Sequence, residues 1–329
     1  MPDFPAVRLH VVTGKGGTGK TTVAAALALA LAAGGHRVLL LEVEGRQGLA
    51  QLFDSPPLPY EERRVAVAPG GGDVYALAVD PEQALLDYLH MFYKLSPNGI
   101  PARTLRRMGA IEFATTIAPG MRAVLLIGKV KEAVVRRGRG DAPAYDAVVL
   151  DAPPTGRIAR FLNISHEVVG LAKVGPIRSQ SEGVMAVLRS PRTAVHLVTL
   201  LEEMPVQEAV DGVTELTALS LPVGGVVVNA VRTPLLAPAD LVTAEAGRLD
   251  QAVLGAGLTK AGLDASPELV RALAAEAGEH AQRVALEERE RDVLAGLEKP
   301  TYELPLLPDA VDLGGLYLLA GMLREQGMA

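Results

Sequence analysis

Short apolar runs rich in β-branched residues recur along the chain, and each ends on a polar residue. Val7 to Val12 leads into Thr13 and a glycine-rich turn, and Arg37 to Glu44 carries four successive apolar residues, Val38 to Leu41. YDAVVLD ends at Asp151, AVHLVT at Thr199 and GGVVVN at Asn229. Unbroken apolar runs, unlike an alternating pattern, belong to parallel strands covered on both faces. Thr21 to Ala33 reads as a helix between the first two runs, so the chain opens with a strand, a loop, a helix and a second buried strand. The pattern predicts an α/β fold around a mostly parallel sheet. Asp151, Thr199 and Asn229 would then open onto the same crevice as the first loop.

Between Pro81 and Arg139 the spacing turns helical, with Leu85, Leu86, Leu89 and Phe92 on one stripe and Val124, Leu125, Ile127, Val130 and Val134 on a later one. A second helical stretch runs from Ser165 to Leu188, and a long one from Pro267 to Leu297 contains a Glu287–Arg291 pair at helical spacing. Asp54 to Pro59 and Pro69 to Asp73 read as loops, neither long enough to divide two domains. One sheet-centred domain over residues 1–329 is expected, flanked by helices and carrying a helical insertion subdomain at about 81–140 and 160–190.

Composition narrows the chemistry. The chain has 329 residues and no cysteine, which excludes disulfides, thiolate-held clusters, cysteine zinc sites and thiol capture of metalloids. With 32 basic and 38 acidic residues, the charge of -6 gives no general pull toward nucleic acid, and none is expected as a partner. The longest apolar run, Val23 to Ala33, is short of the ~20 residues that span a bilayer, and a cytoplasmic protein is expected.

The glycine-rich turn itself, Gly14-Lys15-Gly16-Gly17-Thr18-Gly19-Lys20-Thr21-Thr22, satisfies G-x-x-x-x-G-K-[ST] between a strand and a helix, the context a phosphate-binding loop requires. The fold expected is therefore a P-loop NTPase. Its glycines let backbone N–H groups close around phosphate oxygens at a helix start, where Lys20 would meet the β- and γ-phosphates. The Thr21 hydroxyl would bind Mg²⁺, and Thr22 would support the α-phosphate. Lys15, a second lysine inside the loop, marks a deviant Walker A sequence and suits neutralisation of charge developing on the phosphoryl oxygens; the plainer reading is a solvated loop lysine. Asp151, opening DAPPTG at a strand end, suits a carboxylate holding Mg²⁺ through water, and Pro154, Thr155 and Gly156 a turn that senses the γ-phosphate. The competing reading of Asp151 is a helix cap.

GKGGTGKTT and DAPPTG, with HLVTLLEEMPVQE and GVVVN, resemble the deviant-Walker ATPases related to arsenite-pump ATPases and to ATPases that target tail-anchored membrane proteins. VTGKGGTGK, EVEGRQG and DAPPTGRIARFL resemble more closely an actinobacterial subgroup labelled anion-transporting ATPases. The resemblance implies binding of ATP and ADP with Mg²⁺, hydrolysis coupled to a protein client or membrane-linked partner, and a dimer formed with a paralogous subunit or with itself. It also places Asn229 against adenine, and Leu306, Leu307 and Pro308, within LPLLP, beside it.

The chain departs from the family at two points. Where relatives carry an aspartate that positions the attacking water, Glu44 stands in the segment Glu44-Gly45-Arg46-Gln47, one methylene longer. It reads as a base, a weakened base or a strand-end charge. The absence of cysteine removes the family's zinc clasp and its thiol metalloid sites. Met91, Met108, Met121 and Met185 in the helical inserts read as core packing or, by the resemblance, as the wall of an apolar groove. Arg103, Arg106 and Arg107, and Arg136, Arg137 and Arg139, read as solvated faces, and His10 as a satisfied core or edge residue. Three alternatives to a client-coupled ATPase are a catalytically weak subunit of a heteromeric complex, a partition-type positioning switch, and a small-molecule kinase or synthetase. Against the second, Val311 to Ala329 contains Arg324 as its single basic residue.

Overall fold

The computed structural model describes residues 2–93, 119–163 and 176–329. Eight strands form one sheet: β1 (Leu9–Gly14), β2 (Arg37–Glu42), β3 (Arg63–Val67), β4 (Asp73–Ala78), β5 (Ala147–Asp151), β6 (Thr193–Thr199), β7 (Val223–Val231) and β8 (Thr301–Pro305), in the order β3-β4-β2-β5-β1-β6-β7-β8. Every neighbouring pair is parallel except the edge hairpin of β3 and β4. The expected α/β architecture is the one observed.

The register sets the site. Val12 of β1 and Glu42 of β2 both lie opposite Asp151 of β5, so the carboxyl ends of three central strands finish together. Within each strand the unbroken apolar run divides between two cores. Leu39, Leu41, Val148 and Leu150 enter one, while Val38, Leu40, Ala147 and Val149 enter the other. A strand buried on both faces has no place for alternation.

Helix α1 (Lys20–Ala32) fills the second core and is buried on nearly all sides from Val23 to Ala32, packed between the sheet and the last helix. Its run of alanines keeps it thin enough to lie there. The remaining helices are α2 (Gly48–Leu52), α3 (Pro81–Tyr93), α4 (Pro119–Val135), α5 (Thr155–Leu162), α6 (Pro176–Leu188), α7 (Glu203–Ala218), α8 (Pro238–Glu245), α9 (Gln251–Lys260), α10 (Pro267–Ala295) and α11 (Leu313–Glu325). Helices α3, α4 and α6 fall within the stretches read as helical, with Met185 buried in the first core; Met108, Arg103, Arg106 and Arg107 lie outside the described residues. Met91 and Met121 fall within α3 and α4. No helix among the described residues is long and apolar enough to cross a membrane.

Several local expectations are corrected. The loop expected at Pro69 to Asp73 is found there, but it joins β3 and β4 in an antiparallel hairpin that the apolar pattern did not predict. Leu304 and Pro305, the first two residues of LPLLP, close edge strand β8. Arg291 pairs not with Glu287, which is buried, but with Glu288 at 2.6 Å and Glu303 at 2.7 Å. Arg136 is not a solvated charge: Glu132 and Glu62 hold it at 2.7 and 2.6 Å. His10 lies in a central strand, fully buried, with no hydrogen-bond partner for its Nε2.

Candidate functional site

The loop Lys15 to Gly19 turns from the end of β1 into the start of α1. Gly17 and Gly19 adopt φ of 90° and 85°, the left-handed region that a side chain resists, and a Cβ on Gly19 would strike the Asn229 amide. Gly16 and Gly17 have nothing within 4 Å of where a Cβ would sit, so one side of the loop is open. Gly14 is needed for a different reason, the close passage of the Val198 carbonyl on β6. Inside the loop, Thr18 Oγ1 donates to the Lys15 carbonyl at 2.9 Å and Lys20 Nζ reaches the same oxygen at 3.5 Å. Asn229 Nδ2, from the end of β7, donates to the Thr18 carbonyl at 2.9 Å and braces the loop from the next strand but one.

No side chain caps α1 at Gly19, and no acidic residue lies in its first turn. Its leading N–H groups and the positive end of its dipole are therefore left for a negatively charged group. Thr21, in that first turn, donates from Oγ1 to Asp151 Oδ2 at 2.8 Å, while Thr22 is half-buried beside it. Burial pushes the Asp151 carboxyl up to about 6; the Thr21 bond and nearby Lys20 oppose that shift, and Glu42 and Glu44 add to it. Burial likewise lowers the Lys20 ammonium, with Asp151 and Glu44 pulling it back. A buried carboxylate short of positive charge, in contact with a hydroxyl, is chemistry that suits a hard divalent cation. Among the described residues there is no group of three or more His, Cys, Asp or Glu that could hold a metal unaided.

Glu42 ends β2 and accepts from the backbone N–H of Gln47 at 2.6 Å and of Leu49 at 3.2 Å, fixing the turn that carries Glu44. Glu44 lies two residues beyond the strand and is mostly buried. Arg157 Nη2 donates to its Oε1, and Arg46 approaches its other oxygen at 3.8 Å. Glu44 lines a cavity of about 620 Å³ together with Arg46, Arg122, Arg157 and Phe161.

The turn expected at Pro154 to Gly156 divides: Pro154 is the residue before α5, and Thr155 and Gly156 form its first turn. Two prolines stop β5 from continuing, and a fixed proline φ leads directly into a helix. Thr199 does not open onto the crevice; it is fully buried and donates to the Leu200 carbonyl at 3.1 Å. Lys15, for which a solvated loop position was the plain alternative, is paired through Nζ with Glu208 Oε1 of α7 at 3.0 Å. Glu208 was not anticipated as a site residue. Its contact spans the fold, and no local spacing announces it.

Asn229 also lines a cavity of about 470 Å³ between the ends of β6 and β7 and α10, together with Glu202, Arg232, Arg283 and Glu287. Leu306, Leu307 and Pro308 do not line it. Leu306 N–H fastens the segment to the Val231 carbonyl at 2.8 Å, but Leu306 and Pro308 face outward and Leu307 turns into the core beside Gly315. The carboxylate Glu202 was likewise absent from the sequence reading.

A family model described as anion-transporting ATPase matches residues 7–188, more than half of the chain. ATPase BagA of Mycobacterium tuberculosis is 55% identical over 322 residues, covering 98% of this chain and 94% of that protein. ATPase GET3 of Kluyveromyces lactis is 28% identical over 52% of this chain and 51% of its own length. A Chlorobaculum tepidum protein provisionally described as an arsenical pump-driving ATPase is 32% identical over 48% of this chain and 36% of its own. With a glycine loop opening an uncapped helix beside a buried aspartate, and with matches of this extent, the chain belongs to the anion-transporting ATPase family and hydrolyses ATP.

Proposed function

We propose that the chain is a Mg²⁺-dependent ATP switch whose nucleotide cycle acts on a protein client or a membrane-linked partner, in a dimer with a paralogous subunit or with itself. The observation that carries the nucleotide part is the Thr21–Asp151 contact of 2.8 Å at the foot of an uncapped helix whose loop is open at Gly16 and Gly17. In this reading the loop N–H groups and Lys20 bind the phosphate chain, and Thr22 supports the α-phosphate. Thr21 and Asp151, the latter through water, hold Mg²⁺, which when bound offsets phosphate charge. Lys15 supplies a cation to the terminal phosphoryl group, and Glu44 orients the attacking water. Pro154, Thr155 and Gly156 carry the state of the site into α5. The base and ribose lie toward Asn229 and the cavity it shares with Glu202.

Helices α3, α4 and α6 add surface beyond what nucleotide binding needs, which supports a client or partner as the output. The partition-type alternative calls for a free basic amphipathic helix, whereas α11 buries Leu316, Leu319, Ala320 and Leu323 against the domain. The test is Lys20→Ala in the purified chain. ATP affinity should fall by about 100-fold or more and turnover should disappear, since a charge-assisted phosphate contact is lost. Unchanged binding and turnover would sink the nucleotide reading. Tight ATP binding by the native chain without turnover would move hydrolysis to a complex with its partner.

A further inference from the structure

Glu208 lies in the last position of HLVTLLEEMPVQE, a stretch to which the reading above gives no role. It stands on α7, whose inward stripe of Val206, Ala209, Val213 and Leu216 fixes the helix against the first core. Its two carboxylate oxygens are divided between two parts of the nucleotide site. Oε1 meets Lys15 Nζ at 3.0 Å, and Oε2 accepts from Thr155 Oγ1 at 3.1 Å. Thr155 is itself buried at the head of α5, four residues after Asp151.

The same Lys15 therefore has its carbonyl inside the loop, accepting from Thr18 and Lys20, and its ammonium outside it, on α7. An ammonium held by one carboxylate is not available to a second anion at full strength. The Lys15 and Glu208 side chains are 31% and 35% exposed, so their pair is one that a phosphoryl group can outcompete. Thr155, buried at the helix start, bonds the other carboxylate oxygen and so ties Glu208 to the head of α5.

We propose that Glu208 is a positioning residue that competes with the terminal phosphoryl group of the nucleotide for Lys15, and that its second bond to Thr155 links the lysine's position to the segment following Asp151. This rests on the nucleotide reading above. A triphosphate must draw Lys15 from Glu208, whereas a diphosphate, having no terminal phosphoryl group, leaves the pair closed. Glu208 thus lowers affinity for the triphosphate selectively and sets a preference between the two nucleotide states.

The experiment is a double-mutant cycle on the full chain with Glu208→Gln, Lys15→Met and the double variant, titrated with ATPγS and with ADP in the presence of Mg²⁺. Glutamine keeps a group able to bond Thr155 and removes the charge. Glu208→Gln alone should tighten ATPγS two- to five-fold relative to ADP, and this selective gain should vanish in the Lys15→Met background, where the cycle isolates the pair. A gain equal for both nucleotides, or one that persists without Lys15, would assign Glu208 only a general field effect and overturn the proposal. A loss of ATPγS affinity with unchanged melting temperature would overturn it too. Should Glu208→Gln fail to fold, Glu208→Asp, which draws the carboxylate back from Lys15, should show a smaller gain of the same kind, and its absence overturns the proposal. Lys20→Ala keeps the two readings apart: if that variant loses nucleotide while the cycle shows no coupling, the latch fails and the nucleotide site stands.

Discussion

Glu44 shows how much a single methylene can decide. Its carboxylate is mostly buried, carried on a turn that Glu42 fixes through two backbone N–H groups, and held by Arg157. The turn fixes where Glu44 starts from, while its exposed arginine partner leaves the carboxylate free to turn toward a water. As the water-positioning residue, Glu44→Gln should lower kcat by about 100- to 10,000-fold, the range expected for a lost general base, and leave ATP affinity within about three-fold. Single-turnover kinetics beside a binding titration reads both quantities, and an unchanged kcat would reduce Glu44 to a strand-end charge. The phosphate loop was legible in the sequence because its requirements are local: left-handed glycines, an open side and a helix start within nine residues. The partners of its side chains were not. Lys15 finds Glu208 and Glu44 finds Arg157 across the fold, and no spacing encodes such contacts.

At the scale of elements, the site depends on α1 lying close against the sheet. Ala24, Ala25, Ala26, Ala28 and Ala30 are almost wholly buried, with β-strands on one side and α11 on the other. A core packed this closely accommodates extra methylenes only by moving backbone. Ala28→Leu should therefore destabilise the chain by about 1–3 kcal/mol through overpacking, read as a drop in urea midpoint with unchanged slope. Because α1 carries the phosphate-binding N-terminus, ATP affinity should fall with it. Full affinity and stability in this variant would show that the helix can slide without cost. The central strands were legible because burial on both faces gives them unbroken apolar runs. Strands β3 and β8 were not, since RRVAV and TYELP lie at the sheet margins with half of their positions toward solvent, and β8 ends on a proline that edge strands tolerate. The 29-residue α10 was legible from its length, but its role as one wall of the Asn229 cavity follows only from packing.

At the scale of the whole molecule, three buried groups near the central strands contribute to the response to acid, and they do not act in the same direction. His10 of β1 and His196 of β6 stack with ring centroids 5.3 Å apart, and His10 Nδ1 lies 3.1 Å from His196 Nε2. Gly225 N–H donates to His196 Nδ1 at 3.2 Å, so His196 carries its proton on Nε2 and gives that hydrogen bond to His10 Nδ1. Both rings are neutral in this arrangement. Burial lowers His10 to about 4, and burial with the neighbouring His10 lowers His196 well below the ordinary 6.5. Between pH 6.5 and 4 the unfolded chain therefore binds protons that the folded chain refuses. The histidine contribution to stability should be complete above pH 6.5 and fall as the pH drops toward 4. Asp151 opposes this: its carboxyl, raised to about 6 from 3.8, takes a proton in the folded chain while the unfolded one stays ionised. Acidification through that window should therefore favour the fold at this site and partly offset the histidines. The urea midpoint of the native chain should fall from pH 7 to pH 5, and Asp151→Asn, which has no such offset, should fall more steeply. NMR of the imidazole protons gives the decisive reading. The His10 and His196 signals should stay fixed from pH 8 to 5, and a titration near 6.5 in either ring would mean that water reaches the pair and that this account of the core is wrong.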